Sequence, residues 1–288
     1  RASFRQLLAE VTAQLEATAM PTVRRDVEWL LSHLVGRPPL ELWLDDAEIP
    51  ESVVGCFMAL VAQRVSGAPL QYLLGEADFS RMRLMVRPGV FIPRPETEVV
   101  VEAALKRLQA MATALARPLT VLDLGTGSGC MAMAVARALP TCVVIGVEVS
   151  CRAVCVAQEN VRSAGLSSRV HLVQGRWLEP IWGTVDGIVS NPPYIPTTQI
   201  DGLPLEVQQE PRLSLDGGED GMGALTAILC DVPRVLRPGG ILALECGEEQ
   251  MERLVDHARH AAWVGAVTPL YDLTHRPRGV LVTRQGER

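Results

Sequence analysis

The residues best placed to do chemistry are Asn191, Pro192, Pro193 and Tyr194, which follow the run Val185-Asp186-Gly187-Ile188-Val189. That run reads as a buried strand, and it must stop at two prolines, which have no N–H to give a sheet and fix their own φ. An Asn side-chain oxygen and the Pro192 carbonyl can each accept one hydrogen of a planar –NH2 group. Tyr194 can lie against the face of that group. The tetrapeptide therefore reads as a pocket for an amide or exocyclic amine, although an ordinary exit from strand to loop would use similar residues.

A second constellation lies at Val121-Leu122-Asp123-Leu124-Gly125-Thr126-Gly127-Ser128-Gly129, where a strand turns into a helix. Gly125, Gly127 and Gly129 let backbone approach a ligand closely, and a helix N-terminus offers free N–H groups. Glu148 closes the next apolar run and suits the two hydroxyls of a ribose. These features fit a nicotinamide cofactor as well as other nucleosides, but the spacing is G-x-G-x-G, not the G-x-G-x-x-G of a pyrophosphate binder. In a doubly wound sheet the carboxyl ends of neighbouring strands share one crevice. A nucleoside beside a held amine then points to methyl transfer from S-adenosylmethionine.

The elements that must position these groups follow from periodicity. Strands are expected at 119–124, 142–148, 170–174, 185–190, 240–246, 264–270 and 279–284, with helices at about 128–138, 151–164, 222–236 and 248–261. This is an α/β pattern with a seven-stranded, parallel-rich sheet that closes on an antiparallel hairpin. Residues 1–68 read instead as a small helical bundle, with apolar stripes Phe4-Leu7-Leu8-Val11-Leu15, Val27-Leu30-Leu31-Leu34 and Val53-Phe57-Leu60-Val61. Met20-Pro21 is expected to close the first helix. The bundle reads as a packing unit or a docking surface for a macromolecular substrate. Residues 69–90 read as a linker with a β-hairpin, and 91–288 as the methyltransferase domain.

Composition excludes several classes. The chain has 288 residues, 48% hydrophobic and 21% charged, with net charge −6 and a pI near 5.5. Such a balance argues against a broad nucleic-acid face. The seven cysteines are read as small buried hydrophobes in a reducing compartment. Cys151 and Cys155 share a helix face, but no second pair completes a zinc set, so no metal is expected. The most apolar window is broken by Arg137 and Pro140, so no membrane span is expected. No signal peptide is expected, and the missing initiator Met is read as trimming or a partial chain. The expected location is the cytoplasm, or an organelle for a processed form.

Asp123 to Gly129 and Asn191 to Tyr194 resemble the class I (Rossmann-like) amino-methyltransferases. Phe91-Ile92-Pro93-Arg94-Pro95-Glu96-Thr97-Glu98, Leu215-Asp216-Gly217-Gly218-Glu219-Asp220-Gly221 and the helical N-terminal region narrow this to a resemblance with the release-factor glutamine methyltransferases, the PrmC/HemK family. The resemblance spans essentially the whole chain. It implies methylation, from S-adenosylmethionine, of the Gln side-chain amide in the Gly-Gly-Gln loop of class I release factors, without direct nucleic-acid contact. It further implies that Gly125, Thr126, Gly127, Ser128 and Gly129 surround the cofactor's methionine end and that Glu148, where relatives commonly have Asp, holds the ribose. Trp177 would lie near the adenine. Asn191, Pro192, Pro193 and Tyr194 would bind the target amide, with Phe91 walling the pocket. Many relatives carry an acid beside the Trp177 position; this chain has Arg176, which leaves the adenine amino group to a backbone carbonyl or to Glu179. Asn-Pro-Pro-Tyr also occurs in adenine-N6 enzymes, so the competing expectation is an adenine-N6 or guanine-N2 methyltransferase acting on DNA or RNA.

Overall fold

Phe4, Leu7, Leu8 and Val11 fall on one face of a helix, and that face is buried. The computed structural model describes residues 2–15 and 23–286; the expected stop at Met20-Pro21 lies outside them. The chain forms two units, one of residues up to Glu76 together with Pro204–Gln209, the other of Ala77–Leu203 and Glu210 onward.

The first unit contains α1 (Phe4–Leu15), α2 (Val23–Val35), α3 (Pro39–Asp45), α4 (Glu51–Val65) and α5 (Leu70–Leu74). Phe4, Leu30, Leu31, Leu42, Ile49 and Phe57 are fully buried in its core. The reading of pure helix missed a two-residue antiparallel pair, β1 (Ala2–Ser3) with β2 (Glu48–Ile49). Two residues carry no periodicity for a sequence to show. Leu70, Leu73 and Leu74 pack against the core, which is why the short α5 forms within the stretch read as linker. Arg64 is buried and bonds Asp26 at 2.8 Å and Glu206 at 2.6 Å. Glu206 belongs to the short helix Leu205–Gln208.

After the hairpin β3 (Glu76–Phe79) and β4 (Met82–Met85) comes α6 (Thr97–Leu115). The strands that follow are β5 (Thr120–Leu124), β6 (Val143–Glu148), β7 (Val170–Gln174), β8 (Val185–Ser190), β9 (Leu236–Glu245), β10 (Val264–Tyr271) and β11 (Pro277–Arg284). They form one sheet in the order β10-β11-β9-β8-β5-β6-β7. β5 to β9 run parallel, and β11 lies antiparallel between β9 and β10. Alternation sends Val121, Val189, Ile241 and Leu281 to one face, against α6 and α7 (Cys130–Ala138). Leu122, Ile188, Leu242 and Val282 go to the other, against α9 (Gly223–Val235) and α10 (Met251–His260). α8 (Cys151–Ser163) connects β6 to β7. Gly187 in β8 has no side chain because α6 crosses there: a Cβ would meet Leu108 at 2.7 Å.

Two expectations are corrected. β9 begins at Leu236, earlier than residue 240, because a register shift between Val185 and Gly187 carries Pro238-Gly239-Gly240 inside the strand; Gly239 has φ 76°. The cysteines are all free, yet only Cys142 and Cys246 are buried, while Cys56, Cys151, Cys155 and Cys230 are exposed. An apolar neighbourhood in sequence did not fix which helix face each one took.

The start of the β5–β8 pair is pinned by Asp186. Its buried carboxylate accepts from Arg117 at 2.6 Å, Arg237 at 2.8 Å and the Thr120 N–H at 2.9 Å. Burial alone would raise its pKa, but these donors hold it down to about 2. A depressed carboxylate pKa contributes stability above the unfolded value of about 4, lost as pH falls through the folded one. Asp186→Ala is therefore expected to lower the unfolding free energy by about 2 kcal/mol at neutral pH. In urea titrations the gap to wild type should close between about pH 4 and pH 2.

Candidate active site

Strand order reverses where the chain leaves β5 for β6 and later returns to β8 on the other side of β5. The carboxyl ends of such strands border a crevice. Here they border a cavity of about 740 Å³. Gly125, Thr126, Gly127 and Ser128 line it from β5, Glu148 from β6, and Asn191 and Pro193 from β8. Trp177, Arg176 and Glu179 also line it, as do Phe91, Pro93 and Thr97. Of the residues singled out from sequence, Gly129, Pro192 and Tyr194 contribute nothing to the wall.

The glycine turn is what its residue types require. Gly125, Gly127 and Gly129 all have positive φ, at 69°, 55° and 86°. A Cβ on Gly125 would come within 3.3 Å of the Trp177 ring, which would have to give by a few tenths of an ångström. Glu148 accepts from the Gly127 N–H at 3.0 Å and the Ser150 N–H at 2.8 Å, one bond to each oxygen. A carboxylate has about four acceptor sites, so capacity remains for hydroxyl donors from the cavity. Beneath the turn Asp123 is buried, with Oδ2 taken by Thr126 at 2.6 Å and Ala132 at 2.9 Å. Its Oδ1 has no partner among the described residues, and burial pushes its pKa up to about 7. A rigid glycine cradle, a part-free carboxylate and a flat aromatic wall fit a nucleoside that also bears an amino-acid end.

Across the cavity, Ser190 donates to the Leu124 carbonyl at 2.7 Å and locks the tips of β8 and β5 together. Asn191 Nδ2 donates to the Thr97 hydroxyl at 3.0 Å, at the first turn of α6. The Tyr194 hydroxyl faces away from the cavity and donates to Glu245 at 3.3 Å. Burial and the neighbouring Glu245 carboxyl push the Tyr194 pKa upward. The segment after Tyr194 is laced to Leu215–Gly221: Ile195 N–H bonds Leu215, and Gly217 N–H bonds Ile195. A Cβ on Gly221 would fall 2.2 Å from the Tyr194 carbonyl, so only glycine fits there.

Three contributors escaped the sequence reading. Glu210 is buried, accepts from the Ile92 N–H at 2.9 Å and bonds the Arg94 guanidinium, which stacks over Phe91 at 4.9 Å. Thr97 and Glu245 form the base of the Asn191–Tyr194 turn. The available signal was Glu245 itself, an acid closing the apolar run Ile241–Leu244 at the site's end of the sheet. Among the described residues no group of three His, Cys, Asp or Glu could hold a metal. No described helix is long and apolar enough to cross a membrane.

The sheet order, the glycine turn after the first parallel strand and the acid after the second define a class I S-adenosylmethionine-dependent methyltransferase. Solved structures agree on that fold. The N-terminal domain of human METTL16 in complex with SAH gives a TM-score of 0.53 at 16% identity, over 80% of this chain and 84% of that one. A methyltransferase from Pyrococcus furiosus gives 0.52 at 21%, over 71% and 89%. Residues 6–75 match the PrmC N-terminal domain family, and residues 82–203 match the methyltransferase small domain family. The release factor glutamine methyltransferase of Moorella thermoacetica is 41% identical over 288 residues, 99% of this chain and all of that protein. The MTRF1L release factor glutamine methyltransferase of Homo sapiens is 31% identical over 297 residues, 98% of this chain and 87% of that protein. The chain belongs to the release factor glutamine methyltransferases.

Glu148→Gln replaces one acceptor oxygen by a donor opposite existing N–H groups. It is expected to weaken S-adenosylmethionine binding about tenfold or more, measured by calorimetry, without loss of the folded state.

Proposed function

We propose that the chain methylates the side-chain amide nitrogen N5 of the Gln in the Gly-Gly-Gln loop of class I peptide chain release factors, using S-adenosylmethionine. The observation that carries this reading is the orientation of Asn191. Its Nδ2 is engaged by Thr97, which leaves Oδ1 as an acceptor beside the cavity.

An amide nitrogen is a poor nucleophile because its lone pair is delocalised into the carbonyl. Asn191 Oδ1 and the Pro192 carbonyl take the two N–H hydrogens, hold the nitrogen in one place and favour its pyramidal form. Tyr194, packed against the core with its hydroxyl engaged by Glu245, braces the turn that carries Asn191. S-adenosylmethionine supplies an electrophilic methyl on a sulfonium sulfur. As the nitrogen gains that methyl, the sulfur–carbon bond breaks and one amide proton passes to water. Glu148, the glycine turn and Trp177 hold the donor. Alignment of the two reactants supplies most of the acceleration, on the order of several kcal/mol, and the fixed acceptors stabilise positive charge growing on nitrogen.

The partner in this reading is a protein in the cytoplasm, or in an organelle for a processed form. The net charge of −6 argues against a nucleic-acid substrate.

Two measurements test this. With labelled S-adenosylmethionine, a release factor should be labelled and its Gly-Gly-Gln variant with Gln→Ala should not; equal labelling of both would overturn the target. Asn191→Ala should keep cofactor affinity and lose turnover by about a hundredfold or more.

A further inference from the structure

Ser128 stands one residue before the N-cap of α7 and is 1% exposed. Its carbonyl lies outside the helix ladder, which begins with the Met133 N–H on the Gly129 carbonyl. The Ala132 N–H, four residues on from Ser128, donates to Asp123 Oδ2 instead. A buried carbonyl outside the ladder needs a partner from elsewhere. It comes from α8: Asn160 Nδ2 donates to the Ser128 carbonyl at 2.9 Å. Asn160 is itself buried, at 5% exposure. Its Nδ2 also donates to the Met85 carbonyl at 3.0 Å, and its Oδ1 accepts from the Met85 N–H at 2.8 Å. Met85 ends β4, and Asn160 offers it one acceptor and one donor, as a neighbouring strand would. Turned over, the side chain would set its NH2 against an N–H and its oxygen against two carbonyls, so the orientation is fixed.

The two stretches that Asn160 ties together both supply wall to the cavity. Ser128 lines it within the glycine turn. From Met85 the chain runs on as a strap to Gly89, Val90 and Phe91, which line it too. α8 fastens this strap along its length. Arg87 pairs with Glu159 through bonds of 2.9 and 2.8 Å, Arg152 donates to the Pro88 carbonyl at 3.0 Å, and Val90 packs on Ala153 and Val156. The glycine turn meets the same helix one turn before Asn160, where a Cβ on Gly129 would lie 3.4 Å from that of Ala157. Arg87 and Glu159 are exposed, and exposed ion pairs hold little. Asn160 is the buried polar fastening.

We propose that Asn160 is a positioning residue for S-adenosylmethionine: its side-chain amide ties the Ser128 carbonyl to both main-chain groups of Met85, so that the glycine turn and the 85–91 strap keep the spacing the cofactor needs. Asn160 lies outside the cavity wall and acts through these partners. The inference rests on this cavity seating the cofactor and is independent of which amide is methylated.

Coupling of this kind is reciprocal. If a closed clamp favours the cofactor, the cofactor favours a closed clamp by the same factor. The Met85 N–H reports on it, because that hydrogen exchanges with solvent only when its bond to Asn160 opens. Met85 lies outside the cavity wall, so a bound cofactor has no direct means of shielding it.

The test uses Asn160→Asp, Asn160→Leu and Arg169→Ala in the full chain, with S-adenosylmethionine affinity by calorimetry, KM for the release factor and melting temperature. The aspartate keeps the shape and an acceptor for the Met85 N–H but loses both donors; leucine loses all three bonds. Arg169 holds the far end of α7, donating to the Leu139 carbonyl at 3.3 Å, and measures the effect of general loosening. Both Asn160 variants should bind S-adenosylmethionine about tenfold more weakly or worse, with KM for the release factor within about threefold of wild type. Arg169→Ala should lower the melting temperature yet keep cofactor affinity within about twofold. In the wild-type chain the cofactor should slow hydrogen exchange at Met85 about tenfold more than in the β10–β11 hairpin. Wild-type affinity in either Asn160 variant, or an equal loss in Arg169→Ala at the same melting temperature, would overturn the inference. If neither Asn160 variant folds, exchange decides: no slowing at Met85 beyond that of the hairpin rejects it. Wild-type affinity in Glu148→Gln would reject the cofactor seat instead; a weakened Glu148→Gln beside unchanged Asn160 variants rejects this inference alone.

Discussion

Everything reactive in this molecule hangs on the alignment of β5 with β8. The two strands pair in parallel, Leu124 opposite Ser190 and Val121 opposite Gly187. Side chains of β8 fasten both ends of that pair: Asp186 reaches the Thr120 N–H at the start, and Ser190 reaches the Leu124 carbonyl at the finish. A slip of one residue would turn every side chain of β8 to the opposite face. It would also move Asn191 away from the glycine turn. With the register fixed, the first residues beyond each strand fall around one cavity, and the chemistry becomes a matter of which residues stand there.

The turn beyond β8 cannot be held by the sheet, because two prolines have no N–H to offer. Its support comes from groups outside the ladder. Thr97 holds the Asn191 amide, Glu245 the Tyr194 hydroxyl, and Gln250 donates to the Tyr194 carbonyl at 2.6 Å. Gly217 and Gly221 pack close behind, where side chains would collide with backbone. The aromatic side of the cavity is organised alike, since Glu210 collects the Ile92 N–H and Arg94, and Arg94 in turn covers the Phe91 ring. A run of prolines gives rigidity only when its surroundings supply the bonds it lacks.

What could be read from sequence was what repeats or must be local. Apolar runs placed the central strands because those strands are buried on both faces, and glycines marked the cofactor turn because other residues rarely adopt a positive φ. Asn191 and Glu148 were legible as unusual residues at strand ends. Their partners were not: Thr97 and Asn191 are 94 positions apart, and Ile92 and Glu210 are 118 apart. No periodicity links such pairs. Tyr194 shows the limit from the other side, for its type was recognised but its hydroxyl turned toward a carboxyl that nothing local announces. β9 was expected to start later for the same reason, because only the pairing with β8 reveals that the strand already runs through residues 236–240.

Gly187 lies in the middle of the sheet and touches nothing reactive, yet the missing side chain is what allows α6 to lie close at Leu108. Thr97 begins that same helix, eleven residues earlier and about 16 Å away along its axis. A methyl group at position 187 would meet the tip of the Leu108 side chain, so its first demand is that Leu108 repack beneath α6. The helix that fills the space over the middle of the sheet is thus the same one whose first residue holds Asn191.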